Sequence, residues 1–402
     1  MMDIRAHIKQ LAAEHHREIT SIRQHLHRYP ELSFQEFKTS EFIQQELKKH
    51  GIPFTSGIVK TGIVALIEGQ NPSLKTILLR ADMDALPIHE QNNVPYKSVH
   101  EGIMHACGHD VHSACLLGAA IILNQIKHTL NGTIKLIFQP GEEVLPGGAS
   151  LMIKEGILHH PEVNAAIAQH VFPSMEAGKV GFRKGMYMAS TDELYITVNG
   201  KGGHAAMSDD YVNPLLIASD ILQTIHNTFM SPEALKNTAG ENIPTVVAFG
   251  KIEGKGATNV IPEKVEIEGT FRTMNENWRA EVHEKLKQIV NEISLKFGIA
   301  STIRIEKGYP FLVNHEVLTG HCKSWAEDYL GAENVEELPL RMTAEDFAFI
   351  SQEVPSCFYR LGTGNKGLGI TSGVHTSTFD IDEKALETGM GLMAYLAYKQ
   401  LS

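Results

Sequence analysis

The sequence predicts a layered α/β fold with a mixed, largely parallel sheet, interrupted by a second domain of α+β type. Three observations support this prediction. Short apolar strands alternate with helices before residue 188, an order typical of parallel sheets that helices sandwich on both faces. Between 189 and 306 the order becomes β-α-β-β-α-β, which is typical of a ferredoxin-like arrangement. Short strands and helices return over 307–402 and are expected to complete the first domain.

The elements of the first domain follow from apolar periodicity and from signals that end helices. Residues 4–28 are predicted to form a helix that ends before Pro30, and residues 37–50 a second helix that ends at Gly51. The near-continuous apolar character of 111–127 predicts a buried helix. Strands are predicted at the apolar runs 63–67, 76–82, 133–138 and 165–168.

The elements of the second domain are predicted in the same way. Its strands are expected at 194–198, 245–249, 265–272 and 301–305. The helices 212–229 and 278–296 are expected between them. Two helices on one face of a four-stranded antiparallel sheet would result.

Charge and composition exclude several classes of protein. The 402 residues include 36 basic and 47 acidic side chains, a net charge of -11, so the chain has no overall basic character for binding nucleic acid or anionic lipid. The longest apolar run, near 116–123, is shorter than the roughly 20 residues of a membrane-spanning helix. The N-terminus has no apolar signal-peptide core, and four cysteines cannot form a disulfide framework. We therefore expect a cytoplasmic protein with reduced thiols.

Polar side chains cluster where the predicted strands end, which is where ligands bind in open α/β sheets. Others precede the buried helix or lie in a loop rich in Gly, Thr and Ser near the C-terminus. Together they are Asp82, Asp84, Cys107, His109, Glu142, Glu143, His170 and His375. The chain holds 21 histidines, and histidine is the commonest metal ligand, but only the ordered clusters indicate which of them carry chemistry.

These residue types suit a transition metal. Thiolate, imidazole and carboxylate groups together bind ions such as Zn2+, and the spacing Cys107-Gly108-His109 lets two side chains reach one centre from a loop. Of the adjacent Glu142 and Glu143, one can bind metal while the other acts as a base. Each feature alone is commonly an ordinary core or surface residue. Their conjunction at successive strand ends favours a metal site.

Five segments resemble, in order, motifs of the M20 metallopeptidase superfamily, in particular its amidohydrolase branch. The segments are HRYPELS at 27–33, RADMDALP at 80–87, MHACGHD at 104–110, FQPGEE at 138–143 and GGHAA at 202–206. This branch includes hippurate hydrolases, N-acyl-amino-acid deacylases and plant auxin-conjugate hydrolases. The resemblance spans nearly the whole chain.

The resemblance implies a zinc-exopeptidase-like catalytic domain, formed by 1–188 and 307–402, with an inserted lid and dimerisation domain over 189–306. It implies two divalent metal ions per subunit, with Zn2+ expected first and Mn2+, Co2+ or Ni2+ as alternatives. The expected reaction is hydrolysis of the amide bond of an N-acyl amino acid, a small-molecule substrate, by a homodimer or higher homo-oligomer. Neither nucleic acid nor membrane is an expected partner.

The resemblance also implies roles for individual residues. The metal ligands would be Cys107, His109, Glu143, His170 and His375, with Cys107 bridging the two ions. Glu142 would be the general base, and Asp82 would orient a ligand from behind. On the lid, His204 would contact the oxyanion, and Asn259 and Arg272 would hold the substrate carboxylate. The sequence departs from many relatives at Met207, after the lid motif, and at Arg80, where other branches have a metal-binding histidine.

Three alternatives stay open at the level of the sequence. The first is a small-peptide carboxypeptidase or dipeptidase of the same superfamily. The second is a thiol amidase that uses Cys107 as its nucleophile with His109. The third is a metal-binding or peptide-binding protein without catalysis, against which the presence of Glu142 argues, because a binding protein needs no base beside its metal.

Overall fold

The computed structural model describes residues 3–230 and 242–402, so the part of the predicted second domain at 231–241 lies outside the described residues. The chain divides into two compact units. The first unit comprises Met1–Tyr187, Val313–Pro339 and Asp346–Ser402. The second unit comprises Met188–Leu312 and Leu340–Glu345.

The α-helices of the described chain are α1 (Ile4–Arg28), α2 (Phe37–Lys49), α3 (His109–Gln125), α4 (Gly148–Lys154), α5 (Pro214–Phe229), α6 (Glu276–Lys296), α7 (Glu316–Leu330), α8 (Ala348–Glu353) and α9 (Lys384–Leu401). The strands are β1 (Phe54–Ile58), β2 (Gly62–Glu68), β3 (Thr76–Asp82), β4 (Thr133–Gln139), β5 (Ala165–Glu176), β6 (Val180–Phe182), β7 (Gly185–Met188), β8 (Asp192–Asn199), β9 (Gly203–His204), β10 (Thr245–Glu253), β11 (Val260–Ile261), β12 (Lys264–Thr273), β13 (Ser301–Lys307), β14 (Leu312–Asn314), β15 (Val335–Glu337) and β16 (Ser356–Gly364).

An eight-stranded sheet in the order β1-β2-β4-β3-β5-β16-β6-β15 organises the first unit. Its central strands β4, β3, β5 and β16 pair in parallel, whereas β1, β2 and β6 pair antiparallel with their neighbours toward the centre. Every residue of β3 and β4 is buried, as expected for central strands covered by helices. The predicted mixed, largely parallel α/β fold is therefore confirmed.

The buried helix α3 lies at the centre of the first unit's core. It packs against α1, α9 and β3, and all of its residues from His109 to Leu123 are buried. Helix α9 approaches closely at Gly118, where a Cβ atom would lie 2.7 Å from the sulfur of Met390. This close packing explains why the sequence of α3 is apolar on every side. Over the described residues, the structure contains no helix with both the length and the apolar character needed to cross a bilayer.

The second unit contains a four-stranded sheet in the order β10-β12-β8-β13, in which all neighbours are antiparallel. This is the strand order of a ferredoxin-like arrangement. Helices α5 and α6 share one apolar core with alternate residues of β8 and β12, including Leu194, Ile196, Val265 and Ile267. The period of two along these strands places one face in the core.

A buried ion pair anchors α6 to β8 in the second unit. Arg279 is 1% exposed and Asp192 is fully buried, and Arg279 Nε donates to Asp192 Oδ2 at 2.9 Å. His283 Nε2 lies 2.7 Å from the same oxygen, and the Gly308 N–H donates to Oδ1 at 3.1 Å. Although burial opposes ionisation, the hydrogen bonds from His283 and Arg279 lower the pKa of Asp192.

We predict that Arg279→Ala lowers the free energy of unfolding of the second unit by about 3–5 kcal/mol, because Asp192 would stay buried without a guanidinium partner. Urea denaturation at neutral pH measures this loss. The control is Lys264→Ala, which removes an exposed pair with Glu266 and should cost less than about 1 kcal/mol. Equal effects of the two substitutions would contradict the prediction.

Candidate metal centre

Three central strands bring polar residues to one level of the first unit's sheet. Asp82, at the end of β3, pairs with Gln139, at the end of β4. Arg80 pairs with Ala168 of β5, so His170 lies at about the level of Asp82. The loop that follows β4 therefore starts beside Asp82 and His170, at the carboxyl edge where such sheets bind ligands.

Gly108 makes the turn that begins α3. Its φ is +80°, a left-handed conformation that favours glycine, and a Cβ atom there would lie 2.6 Å from Val171 Cγ2. The loop can therefore pass directly over β5 only with glycine at this position. As a result, Cys107 and His109 lie on either side of this contact, next to His170.

The structure brings all five predicted ligands into one cluster. Cys107 Sγ lies 3.5 Å from His170 Nε2, and His109 Nε2 lies 3.8 Å from Glu143 Oε1. The same carboxylate oxygen is 3.3 Å from His375 Nε2. Cys107 shares one group of mutually close donor atoms with His109 and His170, and another with Glu143 and His375. Cys107 is therefore common to two groups of potential metal ligands.

The ring nitrogens of two histidines are oriented by acceptors outside the cluster. His109 Nδ1 lies 3.2 Å from Asp84 Oδ1, and His170 Nδ1 donates to the carbonyl oxygen of Val171 at 2.9 Å. Because these partners can only accept, the proton is on Nδ1 in both rings. Nε2 is then the nitrogen that faces the cluster, as in metal-binding histidines that a carboxylate or carbonyl holds from behind.

His375 reaches the cluster from an unusual backbone conformation. Its φ is +61°, which is unfavourable for a residue with a side chain, and its backbone N–H donates to the carbonyl oxygen of Ala106 at 2.7 Å. This hydrogen bond attaches the C-terminal loop to the segment that carries Cys107. His375 therefore adopts its left-handed backbone conformation at the position from which its ring contacts Glu143.

Two buried atoms in the cluster show that these residues fit a metal ion. His109 Nε2 and Glu143 Oε1 are buried, and neither has a hydrogen-bond partner within the described part of the chain. Buried polar atoms are normally paired. A divalent cation would satisfy both atoms, and a donor set of sulfur, imidazole nitrogen and carboxylate oxygen suits a transition metal such as Zn2+.

The ionisation of Cys107 and His109 also bears on metal binding. Burial, assisted by the nearby charge of Glu143, raises the pKa of the Cys107 thiol to about 12. Although burial opposes a charge on His109, the charge of Asp82 and the hydrogen bond to Asp84 raise its pKa well above the usual value. Without a cation, both groups therefore hold a proton at neutral pH. This disfavours a free Cys107 thiolate as a nucleophile.

The adjacent carboxylates Glu142 and Glu143 are held by different partners. The Glu143 N–H donates to Asp84 Oδ2 at 2.9 Å. The carboxylate of Glu142 is 7% exposed and accepts the Asp346 N–H at 3.3 Å through Oε1. Glu143 thus faces His375, while Glu142 is directed toward the backbone of Asp346. Both carboxylates nevertheless offer an oxygen to one close group of donor atoms that also includes His109.

His112 was left without a role by the sequence, and the structure assigns it one. Its Nδ1 lies 2.6 Å from Asp82 Oδ1, and its Nε2 accepts the Val171 N–H at 2.9 Å. With both nitrogens engaged, His112 cannot bind metal and instead orients Asp82, whose other oxygen lies 3.7 Å from His109 Nε2. The spacing of three residues between His109 and His112 on α3 is the signal that places both rings on one helix face.

Arg80 is fully buried behind the cluster. Its guanidinium donates to Asp82 Oδ2 at 2.6 Å, to Asp346 Oδ1 at 2.8 Å and to Gln139 Oε1 at 2.9 Å. Although burial opposes ionisation, the charge of Arg80 lowers the pKa of Asp82 well below its usual value. A histidine at this position in other branches would bind metal, whereas Arg80 neutralises the carboxylates that support the ligands.

The three predicted substrate-binding residues lie in the second unit. His204 is exposed on β9, where its Nδ1 accepts the Ala206 N–H at 3.1 Å. The Ala205 N–H donates to the carbonyl oxygen of Asn259 at 3.0 Å, so His204 and Asn259 are on neighbouring segments. Arg272, on β12, donates to the carbonyl oxygen of Met342 at 3.2 Å. Their roles toward a substrate stay predictions.

Comparisons with known proteins agree with this geometry. The family model described as Peptidase family M20/M25/M40 matches residues 78–399. This chain belongs to that family. The M20 chain is 38% identical to an N-acetyl-L-cysteine deacetylase of Bacillus subtilis (strain 168), over 92% of this chain and 85% of the relative. It is 35% identical to thermostable carboxypeptidase 1 of Saccharolobus solfataricus, over 99% of each.

A solved structure of an M20 protein is also similar. The crystal structure of the Bacillus subtilis YXEP protein, described as a dinuclear metal binding peptidase, matches with a TM-score of 0.80 and 31% identity. The match covers 97% of this chain and 99% of that chain. Together with the deacetylase, it confirms the resemblance of the five motifs to the M20 family and shows that this chain belongs to a family of hydrolases.

We predict that the apparent affinity of the metal-free M20 protein for Zn2+ rises at least about tenfold per pH unit between pH 6 and 8, because Cys107 must lose its proton when it binds metal. Competition with a chromophoric chelator, corrected for the chelator's own protonation, measures the slope. The Cys107→Ala variant should bind fewer cations with a smaller slope. A slope that does not change in this variant would contradict the role of Cys107.

Proposed function

We propose that this M20 hydrolase cleaves the amide bond of N-acyl amino acids with the help of two divalent cations. The observation that carries the proposal is the position of Glu142: it offers a carboxylate oxygen close to donor atoms of His109 and Glu143, and its Oε1 accepts the Asp346 N–H, so a second carboxylate lies beside the buried cluster. The residues proposed to hold the cations are Cys107, His109, Glu143, His170 and His375. Zn2+ is the cation expected first, and Mn2+, Co2+ and Ni2+ are alternatives.

Glu142 carries the proton transfers in the proposed mechanism. Bound cations supply Lewis acidity, which polarises a carbonyl group and makes water more acidic. The Glu142 carboxylate takes a proton from water while the water oxygen attacks the amide carbon. It then gives this proton to the amine nitrogen as the carbon–nitrogen bond breaks. The products are a carboxylate and a free amino acid.

The surrounding residues prepare Glu142 for this role. The Asp346 N–H donates to Oε1 of the carboxylate, which fixes the orientation of the side chain. The burial of Cys107 and His109 excludes water from the other side of the cluster, which strengthens electrostatic interactions within it. The assignments of His204 to the oxyanion and of Asn259 and Arg272 to the substrate carboxylate are part of the proposal.

Two alternatives differ in their support. A small-peptide carboxypeptidase would use the same residues on a different amide, and the similarity to a thermostable carboxypeptidase favours keeping it as the second candidate. A thiol amidase would need an ionised Cys107, and the raised pKa of about 12 opposes it. Action in the cytoplasm, as a homodimer or higher homo-oligomer assembled through the second unit, is also part of the proposal.

We predict that Glu142→Gln keeps its bound metal but lowers kcat by at least about 10²-fold, because an amide cannot accept the proton from water. The side chain keeps its shape, and its carbonyl oxygen can still accept the Asp346 N–H. Glu143→Gln is the contrasting variant and should lose metal. Turnover by Glu142→Gln close to that of the wild type would contradict the mechanism.

We also predict that N-acetyl, N-benzoyl or longer N-acyl amino acids give a higher kcat/KM than dipeptides with the same C-terminal residue. The assays use protein reconstituted separately with Zn2+, Mn2+, Co2+ and Ni2+. Higher kcat/KM for the dipeptides would favour the carboxypeptidase. Full activity in chelator, together with inactivation by thiol alkylation, would favour the thiol amidase.

A further inference from the structure

The turn at 140–143 carries both adjacent carboxylates, and each of its last three residues is held by a separate hydrogen bond. Two of these bonds involve Asp84 and Asp346, as described above. In the third, the Gly141 N–H donates to Glu36 Oε1 at 2.9 Å. Glu36 comes from a distant part of the sequence, directly before α2, and its side chain is fully buried.

The same oxygen of Glu36 also accepts a hydrogen bond from Phe34, a residue with an unfavourable backbone conformation. Glu36 Oε1 also accepts the Phe34 N–H at 2.8 Å, and both Phe34 and Gly141 are left-handed, with φ of +64° and +59°. The Phe34 ring lies against the turn so closely that a Cβ atom at Gly141 would be 2.4 Å from its Cζ. Glu36 Oε2 accepts the hydroxyl of Thr61 at 2.8 Å. The Glu36 carboxylate therefore holds both residues that form the close contact, Phe34 and Gly141.

Capping of the neighbouring helix does not explain Glu36. Although it directly precedes α2, its side chain makes no capping hydrogen bond to that helix. The carboxylate that serves α2 is Glu31, whose Oε2 accepts the Thr39 N–H at 2.8 Å. The two glutamates of this segment thus have different targets, one in the helix and one in the turn.

We propose that Glu36 is a positioning residue for Glu142: by accepting the Gly141 N–H, it holds the turn in the conformation that directs the Glu142 carboxylate. This inference rests on the proposed role of Glu142 as the base. Glu36 acts only through the backbone of Gly141. A small displacement of a catalytic group lowers the rate of the chemical step far more than it weakens substrate binding.

The test compares Glu36→Ala, Glu36→Gln and the control Glu31→Ala. In Glu36→Ala, kcat should fall about 10- to 100-fold, with KM within about threefold of the wild type and the number of bound cations unchanged. Glu36→Gln should retain kcat within about threefold, because its amide oxygen can accept both N–H groups and its amide nitrogen can donate to Thr61. Glu31→Ala should retain kcat although it loses a contact to α2.

Hydrogen exchange supplies a measurement that does not depend on activity. The peptide that covers 139–144 should exchange at least about tenfold faster in Glu36→Ala than in the wild type, because its amides would open more often. The same peptide should be unchanged in Glu36→Gln and Glu31→Ala. Wild-type kcat in Glu36→Ala, or equal losses in Glu36→Gln and Glu36→Ala, would overturn the inference. A fall in kcat that comes with fewer bound cations would also overturn it.

Two further variants keep the test decisive. If Glu36→Ala does not fold, Glu36→Asp replaces it, because the shorter side chain keeps a carboxyl group but cannot reach Gly141; wild-type kcat in that variant would overturn the inference. Glu142→Gln is assayed in parallel. If Glu142→Gln is fully active, the proposed function fails. If Glu142→Gln is inactive while Glu36→Ala or Glu36→Asp is fully active, only the role of Glu36 fails.

Discussion

The buried guanidinium of Arg80 is the interaction on which the candidate centre depends. Three chain segments meet at it, since it contacts Asp82 of β3, Gln139 of β4 and Asp346 before α8. A carboxylate buried without a partner costs several kcal/mol. Asp82 and Asp346 can therefore be buried together behind the cluster because Arg80 supplies a positive charge that is present at every accessible pH.

Around this charge the supporting residues are fully paired, while the atoms that face the cluster are not. Asp346 Oδ2 accepts the Ala149 N–H at 2.9 Å and the amide of Gln139 at 2.8 Å. By contrast, His109 Nε2 and Glu143 Oε1 have no hydrogen-bond partner in the described part of the chain. A network of paired groups keeps a few unpaired atoms at fixed positions, which is the arrangement that a preformed metal site requires.

The sequence predicted the large elements well because apolar periodicity reports burial. The predicted helix 4–28 and strand 76–82 coincide with α1 and β3. The strand predicted at 165–168 extends to Glu176 in the structure, because β5 pairs with β16 along this length; of its polar residues, His170 lies in the candidate centre, whereas Gln169 accepts the hydroxyl of Tyr359. Helix α3 begins at His109, two residues earlier than predicted, because the left-handed Gly108 starts it.

The candidate centre was less predictable where its contacts join distant segments. Residue types and motif order pointed to the five clustered donors, since each is near the end of a strand or the start of a helix. The residues that contact these donors from outside the cluster were not predictable in this way. Asp82 and Asp84 are both acidic and two residues apart, yet His109 Nδ1 contacts only Asp84, and no spacing rule distinguishes them. Arg80 and Asp346 are 266 residues apart, so only the folded chain shows that they form a pair.

The unpaired atoms of the cluster also connect function to stability. Natural sequences depart from local consistency mainly at functional sites, and the cluster holds two kinds of departure: the left-handed backbone of His375, and the buried atoms His109 Nε2 and Glu143 Oε1, which have no hydrogen-bond partner among the described residues. Each disfavours the folded state without metal. A cation that bound the folded cluster, and not the dispersed side chains of an unfolded chain, would stabilise the fold by mass action. Such a cation would offset the cost of burying His109 Nε2 and Glu143 Oε1 without hydrogen-bond partners.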